Sequence, residues 1–540
     1  TTNTHIEYSV DGSTSSNPFD ITEKDMQIQK LHITDDYMIN DVFNSDFIPA
    51  TIGGESLYGY PMRTVISESN NTNWDKAVLA MANVNIPYTY EKSLSLPYNV
   101  LHTDLKWSTN TEDKKRASKY IESILLMLRT KVLLNNGDLS KTEIVWFYPA
   151  SMTQNRFNKF KAEWENTFAT LFGAPISNII AASESVAPYY YHKAKKGATS
   201  TVVSVDIGGG TTDVLIVDKG EPKYLTSFRF AANTIFGDGY SYDSDSNGFV
   251  NKYKDIITNQ LETNNLRGLK AVLKSVLDKR VSTDVIAFLF SLASNKEIKK
   301  EKVEINFAKM LADDNRGKYV VILFYVAIVY HIAKLMKAKG FDMPRHMTFS
   351  GNGSKVLNIL STNDATLVRL TKIIFEEIYA QSYSIDGLDI IRPANSKEST
   401  CKGGIILTPF QSQDYGEIKD MKTILIGTDN EKFADVHMTY NDVTEADLDS
   451  VVDVIKEYIE FTFKLDKKFS FYDNFDVDRS IMNKVKDLCY RDIRTYLENG
   501  LAIKKSEIAQ DGADDNLEET LFFYPLVGII NAVVRNIYQM

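Results

Sequence analysis

VVSVDIGGGTTDVLIVDKG, residues 202–220, decides the fold of this chain. An apolar run reaches Asp206 and Ile207, three glycines follow, and Thr211-Thr212-Asp213 opens a second apolar run that ends at Lys219-Gly220. The pattern predicts two strands joined by a glycine turn. Glycines let the backbone turn with positive φ and approach a ligand with no Cβ in the way. Successive N–H groups in such a turn form an anion-binding concavity. Gly208, Gly209, Gly210, Thr211 and Thr212 are therefore expected to cradle phosphate. Asp206, at the strand end, is placed to hold a hydrated divalent cation, and Asp213 to brace the turn. A plain glycine-rich hairpin is the competing interpretation. The two flanking apolar strands make the pattern more specific than a lone triple glycine.

A shorter version opens the chain. In TTNTHIEYSVDG, residues 1–12, Thr1, Thr2 and Asn3 match Thr211, Thr212 and Asp213, and a strand pattern again runs to a glycine. A duplicated lobe is the simplest account, with the leading strand of the first copy expected upstream of Thr1. Two such clamps facing each other would hold a polyphosphate between two lobes.

At this point the chain resembles the actin-like ATPase superfamily, closest to the DnaK-type heat-shock chaperones and the bacterial actins. DIGGGTTD is similar to the family's second phosphate motif, and TTNTHIEY to the end of its first, Asp-x-Gly-Thr-Thr, without the Asp-x-Gly. Further segments follow in the family's order. EIVWFYPASMTQNRFNKF, from Glu143, resembles a strand-to-helix step. NIIAASESVAPYYYHKA, from Asn178, resembles the first connecting motif, with Glu184 on its Glu. SFRFAANTIFGDGYSYD, from Ser227, resembles the segment that opens the second lobe's insertion, with Gly237 and Gly239 as its glycines. HMTFSGNGSKVLNIL, from His346, resembles the adenosine motif. NSKESTCKGGIIL, from Asn395, resembles the second connecting motif, where Gly403 and Gly404 let helices cross closely at a hinge.

The resemblance covers residues 1 to about 407 and implies an α/β fold of two actin-like lobes, each ribonuclease-H-like, with a mostly helical C-terminal extension. It implies a slowly hydrolysing ATPase that uses ATP/ADP and Mg. Asp206 would organise the metal; Thr1, Thr2, Asn3 and residues 208–212 would bind phosphate. Glu184 would orient the attacking water, and Lys106 would stabilise the γ-phosphoryl charge. Gly351, Asn352, Gly353, Ser354 and Lys355 would seat the adenosine. A solvated Lys is the alternative for Lys106, and a favourable helix-start charge for Glu184. The output expected is a chaperone-like conformational switch on a protein client or regulator. The alternatives are a polymerising bacterial actin-like filament, which would self-associate, and, more weakly, a small-molecule kinase or a non-hydrolysing pseudo-ATPase.

At 540 residues the chain exceeds one hydrophobic core. Lobe I is expected at 1–198, lobe II at 199–407 with an insertion at about 240–315, and an extension at 408–540. The net charge of −10 argues against a nucleic-acid partner. Two distant cysteines, Cys401 and Cys489, make no disulfide framework and point to a reducing, cytoplasmic setting. No apolar run reads as reaching membrane-spanning length. The run from Tyr319 reads as a buried core helix, and the apolar C-terminal helix leaves membrane docking open. SYDSDSNGF, in the insertion, reads as a polar loop rather than a calcium loop. In the extension, KTILIGT and ADVHMTY read as strands. Thr444 reads as the cap of one helix, residues 476–500 as a second helix closed by Gly500, and DGADDNLEE as an acidic loop before the last helix. This tail reads either as an elaboration packed on the core or as a partner-docking module.

Overall fold

The structure, a computed structural model, describes residues 3–10, 13, 15–20, 62–86, 99–103, 105, 111–149, 152, 154–196, 201–383, 387–393, 396–406, 439–511, 517 and 519–540. The fold is mixed α/β. The chain divides into two compact units. One comprises Thr1–Tyr148, Met152–Lys195 and Lys397–Gly416. The other comprises Pro149–Ser151, Lys196–Ser396 and Glu417–Met540.

In the first unit, β1 (Asn3–Thr4) pairs antiparallel with β4 (Met62–Arg63), and β2 (Glu7–Tyr8) with β3 (Asn17–Pro18). Strand β5 (Val65–Ser69) lies between β6 (Val84–Asn85) and β7 (Asn99–Thr103), antiparallel to both. β8 (Ile144–Tyr148) and β9 (Ile179–Ser183) are parallel. A parallel pair needs a crossover, and the helix Gln154–Phe172 supplies it. Trp146 on β8 stacks on Trp164 of that helix at 5.5 Å, inside a cluster with Tyr148, Phe157 and Phe168. The helix Thr111–Leu134 carries Glu112 and Asp113 in its first turn. Its Arg116 is buried and reaches Glu68 of β5 through two hydrogen bonds of 2.7 and 3.1 Å.

The second unit is built on a five-stranded sheet, β12-β11-β10-β13-β14. β10 (Val202–Ile207), β11 (Thr212–Asp218) and β12 (Glu221–Phe228) are successive antiparallel neighbours. β13 (His346–Ser350) runs parallel to β10, and β14 (Asp389–Ile391) parallel to β13. Side chains alternate across a sheet. Val203, Val205, Ile207, Val214, Ile216, Met347 and Phe349 accordingly share one face and enter the main core. Ser204, Asp206, Asp213, Thr348 and Ser350 take the other face.

The helix Lys318–Ala338 runs through that core. It is long and apolar enough to cross a membrane, contrary to the expectation that no run would be. Yet 94% of its apolar window is buried within the protein, which makes it the core helix predicted. Burial pushes the pKa of its His331 down to about 3, so the ring is neutral at physiological pH.

The described C-terminal helices share this core. Phe523 stacks on Phe228 at 3.9 Å, and the Tyr458 hydroxyl donates to the Leu323 carbonyl at 2.6 Å. The described part of the tail thus packs into the core of the second unit. The helix Glu445–Phe469 starts after Thr444, whose N–H and hydroxyl both donate to the Asp447 carboxylate. The single helix predicted over 476–500 is instead broken. Met482–Cys489 and Ile493–Asp511 are separate, with Asp492 left-handed at φ 55° between them. Gly500 lies inside the second helix, because a Cβ there would meet the Tyr240 hydroxyl and the Tyr524 side chain. It permits close packing and does not end the helix. The strands expected at KTILIGT and ADVHMTY fall almost wholly outside the described residues, as does most of DGADDNLEE.

Candidate functional site

β10 and β13 are adjacent and parallel. From β10 the chain turns to one side of the sheet, into β11 and β12; β14 lies on the other side, beyond β13. Ligands in open α/β sheets bind where such connections diverge, beyond the carboxyl ends of the strands. Both glycine turns sit there. Gly208–Thr211 follows β10, and Gly351–Ser354 follows β13.

The first turn is closed by the Gly208 N–H donating to the Thr211 carbonyl at 2.8 Å. Contrary to expectation, none of Gly208, Gly209 and Gly210 has a positive φ. Their carbonyls explain the path. Gly208 O accepts from Ala232 N–H at 3.3 Å and Gly209 O from Asn233 N–H at 2.8 Å, at the start of the helix Ala232–Phe236. Among the described residues, the Gly209 and Gly210 amides donate to no protein acceptor. The turn therefore has three of its carbonyls, those of Gly208, Gly209 and Thr211, occupied, and two of its amides, those of Gly209 and Gly210, available to an anion.

Thr211 is buried, and Thr212 is spent internally, since its hydroxyl donates to the Phe230 carbonyl at 2.6 Å. That proton is committed to the Phe230 carbonyl in this structure. Asp206 and Asp213 face each other in register on β10 and β11, both buried. Like charges directly opposite repel, so the pair suits a neighbouring cation. The Ser350 hydroxyl donates to Asp206 Oδ2 at 3.3 Å. Among the described residues no group of three or more His, Cys, Asp or Glu is arranged to hold a metal alone. Mg is bound through one or two carboxylates plus waters and phosphates, and this donor set fits that pattern.

The second turn joins a strand to a helix. Gly351 has φ 78°, followed by a short helix at Asn352–Val356 and another at Leu357–Leu360. Ser354 donates its hydroxyl to the Gly351 carbonyl at 2.7 Å. A Cβ at Gly351 would overlap the Ile207 carbonyl and the Asp206 carboxylate, and one at Gly353 the Gly208 carbonyl. The glycines thus lock the two turns against each other. Asn352 is half-buried and Lys355 is exposed.

Gly237 ends the helix Ala232–Phe236, and Gly239 is left-handed at φ 67°, packed on Asn531 of the last helix. Next to them lies an ion network that the sequence did not announce. The Arg229 guanidinium makes two hydrogen bonds to Glu507, of 2.7 and 3.0 Å, and its backbone N–H donates to Glu519 at 2.8 Å. Lys504 stands 3.5 Å from Glu519, with side-chain exposures of 3% and 1%. Burial alone would raise the Glu519 pKa. Lys504 and Arg229 outweigh it and hold the carboxyl below its usual range. The acidic loop expected before the last helix thus contains a buried, paired carboxylate. Gly500 and Gly528, glycines inside helical patterns, were the signal of the close packing around it.

In the first unit, Glu184 stands between β9 and the helix Val186–Lys196, and its N–H donates to the Tyr148 carbonyl at 2.9 Å. A Cβ at Gly403 would overlap the Ala187 carbonyl, and one at Gly404 the Phe147 ring. Their helix, Ser396–Ile406, makes the close crossing expected, and it does so inside the first unit. Residues 397–406 group with the first unit. Asn3 is in β1, opposite Arg63. Thr1, Thr2 and Lys106 lie outside the described residues.

No family model matches the chain, and no curated protein matches it. Among solved structures, it is similar to the crystal structure of the ethanolamine utilization protein EutJ from Carboxydothermus hydrogenoformans. The identity is 12% and the TM-score 0.27, over 57% of this chain and 80% of that one. At that distance the likeness fixes neither fold nor function.

Proposed function

We propose that the protein binds Mg-ATP at the paired glycine turns of the second unit and hydrolyses it slowly. The observation that carries this is the turn Gly208–Thr211. The Gly208, Gly209 and Thr211 carbonyls are tied down, two of its amides are open, and Asp206 stands at its root beside the second turn. The Gly209 and Gly210 amides would receive phosphate oxygens, and Asp206 would hold the metal through water. Bound Mg would supply neutralisation of phosphate charge. Preorganised amides of this kind stabilise charge without reorganising during the reaction. Glu184 and Lys106 keep the catalytic roles that the family resemblance gives them. The proposed output is a nucleotide-driven conformational switch read by a protein partner.

Phosphate release from ATP with Mg, measured on the whole chain, tests this reading. Turnover that disappears in Asp206→Ala supports it, as does a proteolysis pattern that changes with MgATP. E184Q and K106A should slow release while leaving binding intact. No Mg-dependent turnover in the unaltered protein would reduce the reading to binding alone. An ATP-dependent sedimenting polymer would move the output from switch to filament.

A further inference from the structure

A pocket of about 200 Å³ lies against the first glycine turn, with Gly210 in its lining. Pockets that enclose whole ligands run to about 300–1,000 Å³. This one suits a fragment of a larger molecule whose remainder lies over the turn. Its other walls are aromatic and charged. Tyr240 is fixed by donating its hydroxyl to the Tyr524 carbonyl at 2.6 Å. Arg229 and Glu507 form a planar, doubly hydrogen-bonded pair. Glu507 belongs to the helix Ile493–Asp511, so the C-terminal tail supplies one wall.

Tyr242 is the residue that calls for explanation. It lines the same pocket, yet it is 74% exposed. Its backbone is left-handed at φ 51°, a conformation disfavoured for a bulky side chain. Its ring stacks on no other ring among the described residues, so burial does not offset the strain. Backbone strain of this kind collects at ligand sites. An exposed aromatic face held at a pocket mouth is a platform for a flat ring.

We propose that this pocket seats the nucleoside part of the bound nucleotide, with Tyr242 stacking on the base and the Ile493–Asp511 helix as the facing wall. The proposal rests on the phosphate-binding reading of Gly208–Thr211 and extends it to residues outside the motifs. It also gives the tail a function, as part of the site. The family resemblance assigned the adenosine to residues 351–355. In this chain Gly351 and Gly353 are occupied in packing on Ile207 and Gly208.

Calorimetric titration of the whole chain with ATP, and separately with inorganic tripolyphosphate, tests the proposal on Tyr242→Ala, Tyr242→Phe and Lys355→Ala. Tyr242→Ala should weaken ATP binding roughly ten- to hundredfold, as loss of one base–aromatic stack does. Tyr242→Phe should restore it, Lys355→Ala should leave it unchanged, and tripolyphosphate should bind all four proteins alike. ATP and tripolyphosphate binding equally well to the unaltered protein would overturn the proposal and leave the phosphate site standing. So would an ATP loss in Lys355→Ala but not in Tyr242→Ala, or an equal loss of both ligands in Tyr242→Ala. If the unaltered protein binds neither ligand, the phosphate reading falls and this proposal with it.

Discussion

After Gly210 the chain enters β11, which runs seven residues, pairs along both edges and is buried almost throughout. After Thr2, in a segment that begins with the same Thr-Thr-Asx pattern, it makes two pairings of two residues each, to Met62–Arg63 and to Asn17–Pro18. Ile6 in that segment is half-buried; Ile216 in β11 is fully buried. The difference shows what the motif alone does and does not specify. Long ladders and two buried faces come from the neighbours β10 and β12, while the Thr-Thr-Asx residues fix only the start. A shared Thr-Thr-Asx pattern therefore does not by itself predict equal structural weight for the two segments.

The comparison would break most visibly at the turns. Gly353→Ala places a methyl on the Gly208 backbone carbonyl, which cannot move away without opening the turn. A loss on the order of 3–5 kcal/mol, or failure to accumulate folded protein, is expected. Gly173→Ala in the first unit has φ 61° but nothing within 4 Å of the new atom. It should cost about 1–2 kcal/mol, the left-handed penalty alone. Urea denaturation of both variants decides this, and equal costs would show that the interlock of the two turns carries no stability.

A smaller effect separates the two strands. Ile216→Ala should destabilise the second unit by about 2–5 kcal/mol, a core cavity. Ile6→Ala should cost the first unit less than half of that. Trp74, Trp146 and Trp164 belong to the described part of the first unit, and the second unit's residues include no tryptophan. Tryptophan fluorescence therefore follows the first unit, and far-UV circular dichroism reports both. Thr212→Val comes next. It leaves the Phe230 carbonyl without its donor and should cost about 1–3 kcal/mol. ATP affinity should be little changed, because that hydroxyl faces inward; a large affinity loss would return Thr212 to the phosphate site.

The smallest effect depends on pH. Glu519 is held below its ordinary value, so its contribution is fully present above the unfolded carboxylate pKa, near 4.5, and is lost as the pH falls through the lower folded value. Hydrogen exchange in the helix Phe523–Ile537 should stay constant, after correction for intrinsic rate, from pH 7 to 5 and accelerate below about 4.5. Glu519→Gln should remove that acid step. A tail that loosens near pH 6 would assign its attachment to another group.

Much of this was legible in the sequence because its signals are local. The apolar runs around Asp206, the Thr444 cap, the glycine turn after Ser350 and the core helix from Tyr319 each depend on residues a few positions apart. What was not legible depends on partners far along the chain. The break at Asp492 lay in a continuous helical pattern. Gly500 looked like a terminator until Tyr240 and Tyr524 were placed against it. Glu519 looked like a loop acid, yet its partners Arg229 and Lys504 are 290 and 15 positions away. The glycines at 208–210 do form a turn, but positive φ, expected there, occurs instead at Gly351.

The central claim is that the turn rooted at Asp206 binds the phosphates of a nucleotide through a metal. Calorimetric titration of ATP into the whole chain, with Mg and with a chelator, tests it directly, beside the near-isosteric variant Asp206→Asn. The account predicts one saturable site, strengthened by Mg in the unaltered protein and indifferent to Mg in the variant. No saturable binding by the unaltered protein, or the same Mg dependence in both, would contradict it.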